Sequence, residues 1–389
     1  MTKLTILQIV RGLDIGNDSG GAERFGVELS RALKRTGQNV LLCAFFRVGT
    51  EMELEWQSKL QAEGIDAFFL VEYRGTNNLL QYLRGLWALL RKLRGIKVDV
   101  AHSHFQLGSL TAVILKLAAK VRIALRTAHI QREWDSNWVL LHVFIERIFP
   151  WILNVEVGVS QAIVDTLSAH PGSMQAGHPP VLIHNAVSFE RRADPVDASA
   201  ILKQNPGELS VISVGRLTEQ KGYEYLLKTI PAVIAKIPQA RFYFIGDGDL
   251  RDSLKKMASE LNLDPFVTFM GIRSDVPFLL SQSDLFVLSS LWEGFPTVIM
   301  ESMVCETAVI ATDIPGTREL VNQGRNGWLV RPKDPDSLGE AIVNALGNPG
   351  ARRMVVAQAK QDVRQFFIDN ICQEYLQLYS KLLTRGKRQ

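Results

Sequence analysis

The sequence has few cysteines, no long apolar run and little net charge, and each shortage excludes a class of protein. Its three cysteines, Cys43, Cys305 and Cys372, lie far apart, which argues against a disulfide framework or a zinc site. No apolar run reaches the roughly 18–20 residues that a membrane-spanning helix requires. The net charge of +4 is too small to indicate nucleic acid as a partner. We therefore expect a cytoplasmic globular protein.

The length of the chain, 389 residues, exceeds one ordinary core and predicts two domains of roughly 150–200 residues. The first ten residues are interrupted by Gln8 and are typical of a β-strand, not of a signal sequence. A charged segment that contains Pro195 and Pro206 predicts a linker. The predicted boundaries are 1–188 for the first domain, 189–208 for the linker, 209–365 for the second domain and 366–389 for a C-terminal helix that crosses back to the first domain.

Short apolar runs alternate with amphipathic segments such as 22–34 and 107–119, which is typical of parallel sheets covered by helices on both faces. The predicted strands are 4–10, 40–46, 67–70, 98–103, 123–127, 155–159, 211–214, 241–245, 267–269, 285–288 and 309–312. The alternation predicts an α/β protein with two doubly wound Rossmann-like domains. Such sheets bind ligands at the carboxyl ends of their strands, so we expect a cleft where the two domains face each other.

Two carboxylates, Glu293 and Glu301, bracket a Gly-Phe-Pro turn that leads into a predicted helix. Proline suits the first helical turn, where its missing N–H is not needed. The amides of Thr297 and Val298 would point outward with the positive end of the helix dipole and could bind anionic oxygens. Glu293 would lie beside that anion, and Glu301 could reach hydroxyl groups further along the ligand. A phosphate between sugar hydroxyls fits this arrangement; a solvated helix face is the alternative for both carboxylates.

Two cations follow the first strand of the second half. Arg216 and Lys221 lie between Gly215 and Gly222, and a guanidinium and an ammonium at a strand end would suit a departing diphosphate. An ion pair with Glu219 or a helix-capping role is the alternative.

Two more loops follow strands at the same edge. The segment from Gly246 to Gly248 predicts a tight turn between strand and helix. Gly271, Ile272 and Arg273 end another strand, where their backbone groups could recognise a nucleobase.

As a set, these motifs resemble those of the retaining nucleotide-sugar glycosyltransferases of glycosyltransferase family 4 (group 1), which have the two-domain GT-B fold. The family's Glu-x7-Glu corresponds to Glu293 and Glu301, its Gly-Arg-Leu…Lys-Gly to 215–222, and its Gly-Gly-x-Glu to 20–23. Shorter likenesses at 159–162, 183–187 and 326–330 extend the resemblance over nearly the whole chain. Ala186 departs from the family, which usually has glycine after the asparagine.

The resemblance implies a hexosyltransferase that moves a sugar from a nucleoside diphosphate donor to a hydroxyl acceptor with retention of configuration. No cofactor is expected. No divalent metal is expected either, because the two cations would replace it at the departing diphosphate. The resemblance also implies that Arg216 and Lys221 hold the donor diphosphate, that Glu301 binds the ribose, and that Glu293, with the backbone around Gly294, Phe295 and Thr297, contacts the sugar. Two further diphosphate contacts are inferred from the residues themselves: the helix-start amides of Thr297 and Val298, and Gly20 with Gly21, where the lack of side chains allows the backbone close to a ligand.

Histidines follow two strands of the first half: His102 and His104 come after 98–101, and His129 comes after Thr127. The segment from Thr127 to His129 resembles the family's Thr-x-His, which lies near the reacting sugar, so His129 joins Glu293, Arg216 and Lys221 as a catalytic candidate. His104 is the second choice, and a structural role is the alternative for either histidine. No carboxylate accompanies the histidines at ligand spacing, so a metal site is not expected.

Two segments suggest a membrane surface. Residues 79–97 contain leucines, Trp87 and five basic residues, and no acidic residue occurs between Glu72 and Asp99. Such a helix can lie on anionic lipid at the inner face of the cell membrane, or it can pack on the sheet with a solvated basic side. Residues 134–151, rich in Trp, Phe and Leu, predict either a hydrophobic acceptor wall or core.

These features favour a glycosyltransferase of cell-envelope glycan synthesis, such as lipopolysaccharide or another polysaccharide, with a saccharide or lipid-linked saccharide as acceptor. A phosphorylase or an epimerase on the same fold is one alternative. A nucleotide-sugar-binding subunit that has lost catalysis is the other, although Arg216, Lys221, Glu293 and Glu301 are all present.

Overall fold

The computed structural model describes residues 3–15, 20–73, 79–130, 147–188, 202 and 207–385. The chain divides into two compact units, one formed by Met1–Ala186 with Ile368–Gln389 and the other by Val187–Phe367. The predicted linker at 189–208 lies, apart from Leu202, Gly207 and Glu208, outside the described residues.

The first unit is built around a parallel sheet. Its strands are β1 (Thr5–Val10), β2 (Asn39–Arg47), β3 (Asp66–Glu72), β4 (Val98–Ser103), β5 (Val121–Ala128), β6 (Val155–Gly158) and β7 (Val181–Leu182). They lie in the order β3-β2-β1-β4-β5-β6-β7, and every pair is parallel. The helices are α1 (Gly21–Arg35), α2 (Glu51–Ala62), α3 (Leu79–Lys92), α4 (Gln106–Leu117), α5 (147–152), α6 (Gln161–Ser168) and α7 (Pro171–Ala176).

Both faces of this sheet are buried. Ile6 and Leu42 point into one apolar cluster, whereas their neighbours Leu7 and Cys43 point into a second cluster on the opposite face. Successive side chains of a strand alternate between faces, so a strand covered on both sides must be apolar at nearly every position. This is why the strands appear in the sequence as continuous apolar runs.

The second unit repeats the architecture. Its strands are β8 (Leu209–Val214), β9 (Ala240–Ile245), β10 (Val267–Gly271), β11 (Leu285–Leu288), β12 (Ala308–Thr312) and β13 (Trp328–Val330), ordered β10-β9-β8-β11-β12-β13 and all parallel. The helices are α8 (Tyr223–Lys236), α9 (Arg251–Glu260), α10 (Val276–Gln282), α11 (Thr297–Val304), α12 (Pro315–Arg318), α13 (Pro335–Gly347) and α14 (Pro349–Asp362). The predicted α/β class with two doubly wound domains is thereby confirmed. Strands β7 and β13 were not predicted, because two or three residues are too few to show a period.

The last helix, α15 (Ile368–Arg385), belongs to the first unit. Its apolar face joins the cluster that covers one side of the sheet, through residues that include Ile371 and Leu376. Tyr375 and Tyr379 are wholly buried, and their hydroxyl groups reach Thr127 at 2.9 Å and His102 at 2.7 Å. The chain therefore returns to complete the core of the unit in which it began.

No helix in the described ranges combines the length and the apolar character needed to cross a bilayer.

Candidate active site

The carboxyl ends of the strands in the second unit are held together by close backbone packing. The loop after β8 crosses the loop after β9: a Cβ atom on Gly246 would lie 2.1 Å from the carbonyl oxygen of Gly215, so only glycine fits there. The amide of Leu217 donates to the carbonyl oxygen of Asp247 at 2.9 Å, which ties the same loops. The Gly-x-Gly turn predicted at 246–248 is thus a contact between two loops as well as a turn.

Lys221 and Glu293 form an ion pair in this region. The Nζ atom of Lys221 lies 2.6 Å from Oε1 of Glu293, and the two side chains are only 15% and 8% exposed. Ser290 donates its hydroxyl to the same oxygen at 2.7 Å, and the Gln220 amide donates to Oε2 at 3.3 Å. The carboxylate therefore has three donors, and it fixes the position of the ammonium.

The ammonium of Lys221 has three N–H donors, and among the described residues it has no acceptor other than Glu293. Two donors thus remain for a ligand. The ion pair with Glu219 that was the alternative reading of Lys221 is not formed; the partner is Glu293 instead. Gly222, which follows Lys221, has φ +60°, and a Cβ atom there would lie 2.3 Å from the carbonyl oxygen of Ser289. The side chain of Lys221 is therefore held by Glu293, and its backbone is held by the close packing of Gly222.

Arg216 is the neighbouring cation, and it is exposed. Within the described ranges its guanidinium pairs with no carboxylate, so the ion pair considered as its structural alternative is absent. An exposed, unpaired guanidinium at the carboxyl end of β8 is available to an anionic ligand.

Helix α11 begins at Thr297, and Pro296, which was expected in the first helical turn, is its N-cap residue. The consequence for the amides is unchanged, because the first N–H groups of a helix have no intrahelical acceptor. Those of Thr297 and Val298 are therefore available to an anion. The preceding turn is rigid: Phe295 is buried, with its ring 5.4 Å from that of Phe366. Gly294 is buried as well.

The predicted ribose and base contacts lie on this unit too. Glu301 is partly buried on α11, one turn beyond Thr297. Gly271 ends β10 with φ +67°, and its carbonyl oxygen accepts the Gly246 amide at 2.8 Å. The guanidinium of Arg273 is held 2.6 Å from Asp275, and this hydrogen bond raises the pKa of Arg273 and lowers that of Asp275. Ile272 is 46% exposed.

Gly20 and Gly21 lie at the start of α1 in the first unit, where Gly20 is the N-cap residue and Gly21 the first helical residue. Residues 16–19 of the same loop lie outside the described residues. The phosphate contact assigned to this pair stays a prediction.

The three histidines predicted at strand ends form one cluster in the first unit. His102 is held between Tyr379 on Nδ1 and Thr127 on Nε2, each at 2.7 Å. His104 is held between the Gln8 side chain at 2.7 Å and His129 at 3.4 Å. His102 therefore has the structural role that was considered for these histidines, and it links β4 to the C-terminal helix. Gln8, which interrupts the first apolar run, is buried and serves this network.

Desolvation keeps the three imidazoles neutral near pH 7, with His102 and His104 buried and His129 partly buried. It lowers the pKa of His102 to about 3 and that of His129 to about 4, and it lowers the pKa of His104 well below its usual range. The Asn185 side chain partly opposes the lowering of the pKa at His129. A neutral His129 can donate or accept a hydrogen bond to a sugar hydroxyl, but near neutral pH it would not bring a positive charge to the reaction.

Two other expectations concern the first unit. Of the segment 134–151, only 147–151 is described; Phe149 is core, whereas Trp151 is 57% exposed. In the part of the chain that the structure describes, no three His, Cys, Asp or Glu side chains are grouped so that they could hold a metal ion.

The sequence did not reveal the roles of the residues that hold Lys221 and Glu293 in position. Ser290 and Gln220 hold Glu293, and Gly222 holds the loop of Lys221. Gly316, after β12, packs its Cα against the carbonyl oxygens of Glu293 and Gly294, at a distance where a Cβ would lie 2.7 Å away. Gln220 and Gly222 belong to the 215–222 motif, but their positioning roles depend on contacts with distant residues that the sequence does not reveal.

Two parallel-sheet units, one of which carries Lys221 and Arg216 after its first strand, have the architecture expected of a GT-B glycosyltransferase. Two family models match the chain: Glycosyltransferase Family 4 over residues 19–191 and Glycosyl transferases group 1 over residues 197–362. Together they cover most of the chain. The protein belongs to the family 4, group 1 glycosyltransferases and has their GT-B fold.

Similar sequences occur among glycosyltransferases of known and unknown substrate. An uncharacterized glycosyltransferase of Methanocaldococcus jannaschii is 34% identical over 44% of this chain, and the match spans less than half (45%) of that relative. The UDP-Gal:alpha-D-GlcNAc-diphosphoundecaprenol alpha-1,3-galactosyltransferase of Escherichia coli is 26% identical over 72% of this chain and 75% of its own. A Campylobacter jejuni alpha-1,4-N-acetyl-D-galactosaminyltransferase, named for a diNAcBac-PP-undecaprenol substrate, is 27% identical over 94% of this chain and 96% of its own.

Among solved structures, that of Anabaena HepE in complex with UDP and glucose superimposes with a TM-score of 0.77, over 97% of this chain and 100% of that one. The identity is 21%, so this likeness shows the fold alone.

Proposed function

We propose that the protein transfers a sugar, with retention of configuration and without a metal ion, from a nucleoside diphosphate sugar to a lipid-linked saccharide in cell-envelope glycan synthesis. The observation that carries the proposal is the pair of cations after β8. Lys221 is fixed by Glu293 with two donors to spare, and Arg216 is exposed and unpaired among the described residues.

In the proposed reaction the bond between the anomeric carbon and the diphosphate breaks as an acceptor hydroxyl attacks the same face of the sugar. The departing phosphate oxygen takes the acceptor's proton. Arg216, Lys221 and the amides of Thr297 and Val298 stabilise the charge that develops on the diphosphate, which is the role that a metal ion has in other transferases. Glu301 binds the ribose, and Glu293 holds Lys221 in place beside the sugar.

The acceptor class is supported by the relatives. Both the Escherichia coli and the Campylobacter jejuni proteins carry undecaprenyl diphosphate-linked saccharides in their names, and both names specify an alpha linkage. The first of them also names UDP-Gal. We therefore propose a UDP-hexose as donor and a polyprenyl diphosphate-linked saccharide as acceptor.

Thermal unfolding against a panel of nucleoside diphosphates is the first experiment. A ligand that binds only the folded state raises the unfolding temperature, and we expect UDP to do so for the wild type but not for Arg216→Ala. Lys255→Ala, a cation that is also exposed in the second unit, should keep the shift. No shift with any nucleotide would overturn the donor site.

The reaction itself is tested with UDP-sugars and a short polyprenyl diphosphate-linked saccharide, with the product's anomeric configuration read by NMR. We expect an α product from an α-linked donor and the same rate in EDTA. An inverted product, or a rate that depends on added Mg²⁺ or Mn²⁺, would contradict the proposed mechanism. Transfer to water or inorganic phosphate alone would favour a hydrolase or a phosphorylase.

A further inference from the structure

Helix α3 has a buried face that anchors it firmly to the first unit. Tyr82 stacks on Phe45 with ring centroids 5.6 Å apart and an interplanar angle of 11°. Gly85 faces the same ring, and a Cβ atom there would lie 2.8 Å from it, so the helix approaches closely. The hydroxyl of Tyr82 also lies 3.3 Å from that of Thr111. The helix is thus a rigid part of the unit.

The opposite face of α3 is apolar and exposed. Leu79, Leu83 and Trp87 follow one another at four-residue spacing, which places them along one side of a helix. Their exposed fractions are 69%, 50% and 64%, and Leu80 beside them is 57% exposed. Single exposed apolar residues are common on protein surfaces, but a continuous row of leucines and tryptophan marks an interaction surface.

Basic residues border this row. Arg91 continues it at the same spacing, and its guanidinium lies 5.6 Å from the centre of the Trp87 ring. Arg84 follows Leu83 directly, and Arg94 and Lys97 come after the end of the helix. These three residues and Arg91 are exposed, and none of the four pairs with a carboxylate among the described residues. No acidic residue occurs from 73 to 98. The charge of this surface therefore complements an anionic partner.

We propose that α3 docks the protein on an anionic lipid surface, with Leu79, Leu80, Leu83 and Trp87 in the lipid interface and Arg84, Arg91, Arg94 and Lys97 on the headgroups. The apolar row parallel to the helix axis suits a flat interface, and tryptophan is the residue that prefers the boundary between headgroups and acyl chains. A protein groove would also accept leucines, but it would require acidic residues to match this many cations. This surface does not depend on the proposed function.

Flotation of the full-length protein with lipid vesicles tests the proposal without any substrate. We expect binding to phosphatidylcholine vesicles that contain about 30% phosphatidylglycerol, and little binding to phosphatidylcholine alone. Arg84→Gln with Arg91→Gln should weaken binding by roughly fivefold for each charge removed. Lys255→Gln with Arg353→Gln removes two exposed charges from the second unit and should leave binding unchanged.

The apolar contribution is tested in the same assay. Leu83→Ser with Trp87→Ser should abolish most binding, and the remainder should disappear at high salt because only the screened charges are left. The matched control is Met354→Ser, because Met354 is 75% exposed and lies in the second unit. Circular dichroism confirms that each variant is folded.

Two outcomes would overturn the inference: equal binding to neutral and anionic vesicles, or vesicle binding by the wild type that the α3 variants leave unchanged. A wild type that does not float with either vesicle would overturn it as well and would leave a protein as the partner of this surface. None of these results bears on sugar transfer, which is measured separately with a soluble short-chain acceptor.

Discussion

The ammonium of Lys221 and the carboxylate of Glu293 lie 2.6 Å apart although 72 residues separate them in the chain. Their loops meet because β11 lies next to β8 in the sheet, so the loop that follows each strand emerges at the same edge. The pair has a consequence for donor binding: the lysine that would hold the diphosphate is positioned by the glutamate expected at the sugar. The two groups should therefore behave as a unit under mutation.

Lys221→Ala should lower kcat/KM about 100-fold or more, because a donor aimed at the developing charge is lost. It should also cost about 1–3 kcal/mol of unfolding free energy, since Glu293 would keep a mostly buried charge without its cation. Activity assays and urea unfolding measure the two effects. Lys228→Ala, an exposed lysine on α8, should change neither.

The double variant Lys221→Ala with Glu293→Gln separates stability from activity. Neutralising the carboxylate removes the unpaired charge, so the stability should return toward that of the wild type while activity stays low. Full activity in the double variant would contradict the role given to Lys221.

Gly222→Ala should destabilise the second unit and impair donor binding together. Alanine at φ +60° costs about 1 kcal/mol from backbone strain alone, and here its Cβ would also meet the carbonyl oxygen of Ser289. Gly324→Ala is the matched control, because Gly324 has φ +71° but open space around it. Urea unfolding should show a clearly larger loss for Gly222→Ala. Equal losses would mean that the close contact with Ser289 is relieved at no cost.

The histidine cluster should make the first unit sensitive to acid. A histidine in the unfolded chain gains a proton near pH 6.5, whereas in the folded protein His102 and His129 gain theirs only near pH 3 and pH 4. The unfolded state thus binds more protons in between, so stability is full above about pH 6.5 and falls as the pH drops toward 4. The unfolding free energy lost approaches about 1.4 kcal/mol per pH unit for each histidine.

Urea unfolding of His102→Gln at about pH 7.5 and pH 5.5 checks this sign and size. The variant is expected to be less stable at the higher pH, because contacts to Tyr379 and Thr127 are lost, but its stability should fall less on acidification. His178→Gln, at an exposed position, should retain the wild-type dependence. If all three proteins lost the same unfolding free energy between the two pH values, His102 would not contribute to the acid sensitivity.

Glu301→Gln tests the ribose assignment. A neutral amide is a weaker acceptor than a carboxylate, so nucleoside diphosphate affinity should fall about tenfold. The sharper expectation is that the wild type, but not Glu301→Gln, discriminates against a 2′,3′-dideoxynucleoside diphosphate in calorimetric titration. Discrimination that survives in the variant would place the ribose elsewhere, and inorganic diphosphate should bind both proteins equally.

Much of the fold could be predicted from the sequence, because apolar continuity and helical spacing are local properties. The eleven predicted strands correspond to strands in the structure, with ends that differ by at most a few residues. The structure also places Arg216, Lys221 and the amides of Thr297 and Val298 after strands or at a helix start, as expected. The donor contacts themselves stay predictions. What local patterns could not show was the pairing of Lys221 with Glu293 in place of Glu219, and the short strands β7 and β13.

The sequence by itself determined the class of each segment and the chemical groups that follow each strand, since these depend on neighbours a few residues away. Tertiary structure alone decided which of those groups meet and which are removed from water. It brought β11 beside β8, and so Glu293 to Lys221. It enclosed His102 under the C-terminal helix, where burial keeps the ring neutral. It turned Trp87 outward, because Tyr82 and Gly85 on the same helix face the core. Strand order and burial arise from contacts across the whole chain, which no local period in the sequence encodes.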